Sequence, residues 1–157
     1  MIKKTSVIID TDPGIDDAVA LAAAFACDRL DIKLISTVSG NVGIENTTNN
    51  ALKLVEFFNK DIKVSKGASR PLIKECEHAE HIHGESGMDG YDFKSPKRSV
   101  YEKNSVEAMR EIIQESDEKI TLVTIGPLTN VATLFLAYPE VKENIEKIVV
   151  MGGSSGR

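Results

Sequence analysis

The chain has 157 residues, of which 41% are hydrophobic, enough to bury one core of ordinary domain size. With 19 Lys and Arg against 24 Asp and Glu the net charge is -5, which leaves no basic footprint for DNA, RNA or an anionic membrane. Nucleic acid and membrane are therefore not expected as partners. The Ala- and Leu-rich run over 18–26 stops at Cys27-Asp28-Arg29, short of the roughly 20 apolar residues a spanning helix needs. Lys3 and Lys4 precede an apolar run that Asp10 interrupts almost at once, unlike a signal peptide, so a cytoplasmic location is expected. Cys27 and Cys76 form no CxxC pair and read as free thiols of a reducing compartment.

In chain order, the β-rich run over 6–10 predicts a strand that ends at the breaker Pro13-Gly14, and residues 16–26, free of Gly and Pro, predict a helix. Residues 32–38 read as a second strand closed by Ser39-Gly40-Asn41, after which Ala51, Leu54, Val55 and Phe58 fall on one helical stripe. A brief strand over 62–64 leads into a loop over about 67–101, long enough to suggest a functional role. Val106, Met109, Ile112 and Ile113 mark a third helix, 119–125 a strand, 128–137 a fourth helix and 145–151 a last strand. Alternating β and α segments with strands apolar on both faces imply an α/β fold, a mostly parallel open sheet with helices on both sides, in a single domain. In such sheets ligands bind beyond the carboxyl ends of the strands, so chemistry is sought there.

Asp10, Asp12, Asp16 and Asp17 crowd the end of the first predicted strand with no Lys or Arg among them. Two carboxylates about 4 Å apart repel by roughly 4 kcal/mol at an effective dielectric of 20, so such a cluster calls for protons or a cation. Part of it has a structural explanation: Asp16 as a helix N-cap and Asp17 in the favourable first turn. Asp10 and Asp12 remain, spaced to share one side of an extended segment. Carboxylate oxygens select calcium or magnesium over zinc, and composition does not choose between those two.

The string DTDPGIDDA at 10–18 resembles the signature of the inosine-uridine nucleoside hydrolase family. Gly40-Asn41, the run HGESGMDG at 83–90, IGPLTN at 125–130 and Met151-Gly152-Gly153 are similar to that family in the same order. The resemblance implies a nucleoside hydrolase-like, Rossmann-like sheet and an enzyme of nucleoside catabolism, which hydrolyses the N-glycosidic bond of ribonucleosides to ribose and free base. It implies a calcium cofactor held by Asp12, Asp17 and the backbone carbonyl of Ile125, with Asp12 also the general base toward a calcium-bound water. Asp16 and Asn41 would hold ribose hydroxyls, Met151 would lie near the sugar, His83 would line the base side, and Asp10 would support the ligands from behind. Hydrolysis of a ribosyl C–N bond passes through an oxocarbenium-like state that water must trap, which is why a placed water and a base are both needed. The implied partner is a small-molecule ribonucleoside, and the family's dimers or tetramers imply a homo-oligomer.

Family members run considerably longer, so the chain reads as the amino-terminal part of a nucleoside hydrolase domain. Asp12, a bidentate Asp17 and the Ile125 carbonyl supply at most about four of the six to eight oxygens calcium takes, so weak calcium binding and poor turnover are expected of these residues alone. Three other readings compete. The Asp10-Thr11-Asp12 string is also similar to haloacid-dehalogenase-like phosphatases, in which Asp10 would attack phosphate, though Gly14 departs from that pattern. Cys76, His78, His81 and His83 form a run whose spacing matches no common structural zinc site. A chain without catalysis would serve as a ribose-binding or nucleoside-binding module.

Overall fold

The computed structural model describes residues 3–79, 82 and 84–153. Its elements in chain order are β1 (Thr5–Thr11), α1 (Ile15–Ala26), β2 (Leu30–Thr37), α2 (Ile44–Phe57), β3 (Val64–Lys66), α3 (Ser105–Glu115), β4 (Ile120–Thr124) and α4 (Thr129–Ala137). A short 3-10 turn, Pro139–Asn144, then leads into β5 (Ile145–Val150). The strands form one sheet in the order β3-β2-β1-β4-β5, and every neighbouring pair is parallel. This is the expected α/β architecture.

Both sheet faces are covered, and the period of two along each strand divides the core between them. Val7 and Ile9 of β1 with Ile35 of β2 pack against Leu21 and Phe25 of α1 and Ala51, Leu54 and Val55 of α2. Ile8 and Leu34, which point the other way, pack with Ile120 and Leu122 against Met109 and Ile113 of α3 and Leu134 of α4. Phe25 and Met109 are both in the core. Each of these side chains contributes roughly 1.5–3 kcal/mol by leaving water.

Element boundaries moved where hydrogen bonding outweighed apolar content. The third strand runs Val64–Lys66 rather than over 62–64, because it pairs with Ile35, Ser36 and Thr37 of β2, while Ile62 packs on the core from outside the ladder. Helix α1 begins one residue earlier than expected: its N-cap is Gly14, not Asp16, and Asp17 at the third position accepts a hydrogen bond from the Gly14 N–H at 3.4 Å. The chain runs from β1 outward to β2 and β3 on one side and through β4 to β5 on the other. The crevice between the ends of β1 and β4 is thus the point where the connections change direction, where such sheets bind ligands.

Candidate active site

Beyond the carboxyl ends of β1, β2, β4 and β5 lies a cavity of about 400 Å³. Among the residues that line it are Asp12, Asp16 and Asp17 from the β1–α1 turn, Asn41 from the turn after β2, Ile125 after β4, and Met151 after β5. The described residues expected to hold metal or substrate therefore converge on one space, whereas Asp10 lies behind it. His83 lies outside the described residues. No Lys or Arg is among the cavity's described lining residues.

Asn41 organises the carboxylates. Its backbone N–H donates to Asp12 Oδ2 at 2.8 Å, and its side-chain Nδ2 donates to the Asp12 carbonyl at 3.1 Å and to Asp17 Oδ2 at 3.2 Å. Thr11 Oγ1 donates to the other Asp17 oxygen at 2.5 Å. Asn41 thus holds Asp12 through Oδ2, while the other carboxylate oxygen, Oδ1, lies on the Gly126 side. The chain passes very close on either side of Asp12: a Cβ on Gly40 would fall 2.0 Å from Asp12 Oδ2, and one on Gly126 would fall 2.6 Å from Asp12 Oδ1. Only glycine lets both backbones approach the carboxylate this closely.

Asp12 and Asp17 are 5% and 3% exposed, whereas Asp16 is exposed at the cavity rim. Burial, helped by the Asp17 charge, pushes the Asp12 carboxyl up to about 7 against the hydrogen bond from the Asn41 backbone. Burial also raises Asp17, against the hydrogen bond from Thr11. Two buried, mutually repelling carboxylates facing a cavity with no basic lining residue are suited in kind to a hard divalent cation. In number they fall short, since among the described residues no group of three or more His, Cys, Asp and Glu side chains could hold a metal ion alone.

Asp10 stands apart from the other three. It is 1% exposed, and its Oδ1 accepts from Ser36 Oγ at 2.5 Å and from Asn130 Nδ2 at 2.8 Å. Asn130 also donates to the Thr37 carbonyl and accepts from the Ala68 N–H, both close contacts that tie β2 to the loop after β3. Asp10 does not line the cavity, so it is poorly placed to attack a phosphate ester. The sequence marks Asn130 only as part of a motif and does not single out Ser36 or Thr11. A polar residue inside an apolar strand was the available signal.

Cys76 Sγ lies 3.6 Å from His78 Nε2, and His78 Nδ1 donates to the Gly40 carbonyl at 3.0 Å. The other two residues of the supposed zinc run, His81 and His83, lie outside the described residues. Cys27 and Cys76 are both free thiols, and no helix among the described residues is long and apolar enough to cross a membrane.

The profile of the inosine-uridine preferring nucleoside hydrolase family matches residues 7–157. The chain belongs to that family. The non-specific ribonucleoside hydrolase RihC of Salmonella typhimurium is 50% identical over 157 residues, all of this chain and 51% of the relative. RihC of Klebsiella pneumoniae is 51% identical over 151 residues, 96% of this chain and 50% of the relative. Among solved structures, a purine-preferring ribonucleoside hydrolase from Gardnerella vaginalis superimposes with a TM-score of 0.90 at 28% identity, covering 96% of this chain and 49% of that one. The plant nucleoside hydrolase PpNRh1 superimposes at 0.89 with 35% identity, covering 96% and 48%. The chain thus spans about half the length of the nucleoside hydrolases it matches.

Proposed function

We propose that this chain carries the ribose-side and carboxylate half of a calcium-dependent ribonucleoside hydrolase site. The observation that supports it most is the pair of buried carboxylates, Asp12 and Asp17, joined by Asn41 and facing the cavity at the sheet's switch point. Asp12, Asp17 and the Ile125 carbonyl are the groups that would hold the ion. When bound there, calcium supplies charge that places and acidifies the attacking water and grips the ribose diol.

Asp12 is the general base in this reading. Asp12 lines the cavity, and its ionised form takes a proton from water as that water closes on the sugar carbon. Asn41 fixes the other Asp12 oxygen, so that the base cannot rotate away. Asp16 at the rim and Asn41 on the wall offer polar groups to ribose hydroxyls, and Met151, held by its N–H on the Thr124 carbonyl at 2.8 Å, presents apolar surface to the sugar. His83 is assigned to the nucleobase side on sequence resemblance alone.

The test is ribose release from inosine and uridine in millimolar calcium, with Asp12→Asn beside the parent chain. The expected loss in kcat/KM is about 10²–10⁴-fold, the usual worth of a general base. Nucleoside that binds and survives prolonged incubation with the parent chain would instead mark a binding module. Release of phosphate from a generic ester, abolished by Asp10→Asn, would mark a phosphatase.

A further inference from the structure

Helix α2 carries a polar face that the carboxylate site does not use. Asn50, on that face, is 1% exposed, yet it is an amide in the interior. Its Nδ2 donates to two carbonyls far apart in sequence: Pro13 at 3.1 Å, in the turn between Asp12 and Asp17, and Ser86 at 2.7 Å, in the long loop between β3 and α3. One helical turn earlier, exposed Asn46 donates to the neighbouring Glu85 carbonyl at 3.0 Å. The loop is anchored on its far side by Met88, which is 6% exposed and packs in the core with α1 and α2. Ser86 Oγ, accepting from the Met88 N–H and donating to Asp89, closes it internally.

We infer that Asn50 is a positioning residue, which locks the 84–90 loop and the Asp12–Asp17 turn into one register so that nucleoside held by one is presented correctly to the other. Two donors on a single buried amide are consumed by two carbonyls far apart in sequence. Neither carbonyl has another hydrogen bond among those described, so a residue lacking both donors leaves one buried and one half-buried acceptor unmet. The remaining Asn50 oxygen is buried without a partner, which a fold retains only where the amide's other half is needed. A Leu of similar size would fill the same space without the unpartnered oxygen, but it would leave both carbonyls without their donor. The amide is therefore explained by the two segments it joins.

The inference rests on the hydrolase reading for its functional consequence, but its first measurement does not. Amide hydrogen exchange on the full chain with Asn50→Ala is expected to speed at least tenfold in both 13–18 and 84–90, with the strands β1 and β4 unchanged. Asn46→Ala is expected to loosen 84–90 alone. Turnover of inosine by Asn50→Ala is expected to lose at least tenfold in kcat/KM, mostly through a raised KM, because the chemistry at Asp12 is intact while the pose is not. If Asn50→Ala fails to fold, Asn50→Ser serves: one hydroxyl reaches one carbonyl, so one of the two segments loosens. Unchanged exchange in both segments, in whichever variant folds, overturns the inference. A parent chain that hydrolyses no nucleoside while exchange still follows Asn50 overturns the hydrolase reading and leaves the coupling standing.

Discussion

Asp10 ends β1 with one carboxylate oxygen taking two donors, from Ser36 and Asn130, and the other buried with none. Burial pushes its pKa up to about 6 against those two hydrogen bonds. For an acid whose folded pKa is raised, the associated stability is fully present below the unfolded value near 4 and is lost as pH rises through about 6. A shift of about two units corresponds to roughly 3 kcal/mol. Asn in its place keeps an acceptor for Ser36 and Asn130 and removes the charge. Asp10→Asn is therefore expected to leave urea stability at pH 4 nearly unchanged and to raise it at pH 8 by up to about 3 kcal/mol. A loss of stability at both values would show that the ionised carboxylate, rather than its acceptor oxygen, holds β2 and α4 in place.

Asp12 belongs to the same scale but is limited by its neighbours' backbones. The Cβ of Gly40→Ala would meet Asp12 Oδ2 at 2.0 Å, and the atom it strikes is held by the Asn41 N–H. Either the carboxylate or the 39–41 turn must move. The substitution is expected to cost at least tenfold in calcium affinity with a drop of only a few degrees in Tm, since the turn lies outside the two cores. Calcium titration and a thermal scan of the same sample separate the two effects. A large fall in Tm with calcium affinity kept would place the damage in the fold instead.

At the scale of elements, what could be read in advance was what apolar pattern writes into the chain. The β1, β2 and β4 strands and the α1 and α3 helices each bury apolar residues, such as Val7, Ile8 and Ile9, or Met109 and Ile113, and their positions were legible; β5 was legible from its apolar run although its side chains stay exposed. The first half of α2 was not. From Glu45 to Asn50 it has no apolar residue, yet Thr47, Thr48 and Asn50 are buried because each satisfies itself: Thr48 shares a hydrogen bond with Thr37 at 2.8 Å, Thr47 donates to the Ile44 carbonyl, and Asn50 bridges two loops. Hydrophobic periodicity cannot reveal a face that is buried through hydrogen bonds. The same reason hid Ser36 and Asn130. Asp12, Asp16 and Asp17 were legible as a candidate site because like charges clustered at the end of a strand have few structural explanations, whereas Asn41 was legible only through the resemblance to the family. How they divide between cavity and interior depends on side-chain partners contributed by β2 and α4, far away in sequence.

At the scale of the whole chain, the donor count governs metal binding. Two buried carboxylates and one carbonyl supply at most about four of the six to eight oxygens that calcium takes. The 157 residues are therefore expected to bind calcium more weakly than micromolar. Proton and calcium compete for Asp12, whose carboxyl is pushed up to about 7. Affinity should fall below pH 7, by up to about tenfold per unit, and level off above it. Isothermal titration at pH 6, 7 and 8 checks both statements, and micromolar affinity independent of pH would contradict them.

Strand β5 is the surface expected to drive self-association of these 157 residues. It forms one edge of the sheet, paired only with β4 among the described strands, and its residues from Glu146 to Val150 are all exposed. Ile148, Val149, Val150 and Met151 together present an apolar ribbon beside open backbone donors and acceptors, the combination that templates pairing with another chain. The charges on this edge, Glu146 and Lys147, are confined to its first half. The chain is expected to self-associate at tens of micromolar, visible as a concentration-dependent sedimentation coefficient. Val149 is the position to test, because it is 47% exposed and, unlike Val150, does not line the cavity. Val149→Lys places a charge in the ribbon without touching the site, so it should leave calcium affinity unchanged and restore a single sedimenting species. If association persists in that variant, the surface responsible is elsewhere, and the exposed Leu72 and Ile73 beside Leu128 are the next apolar patch to interrupt.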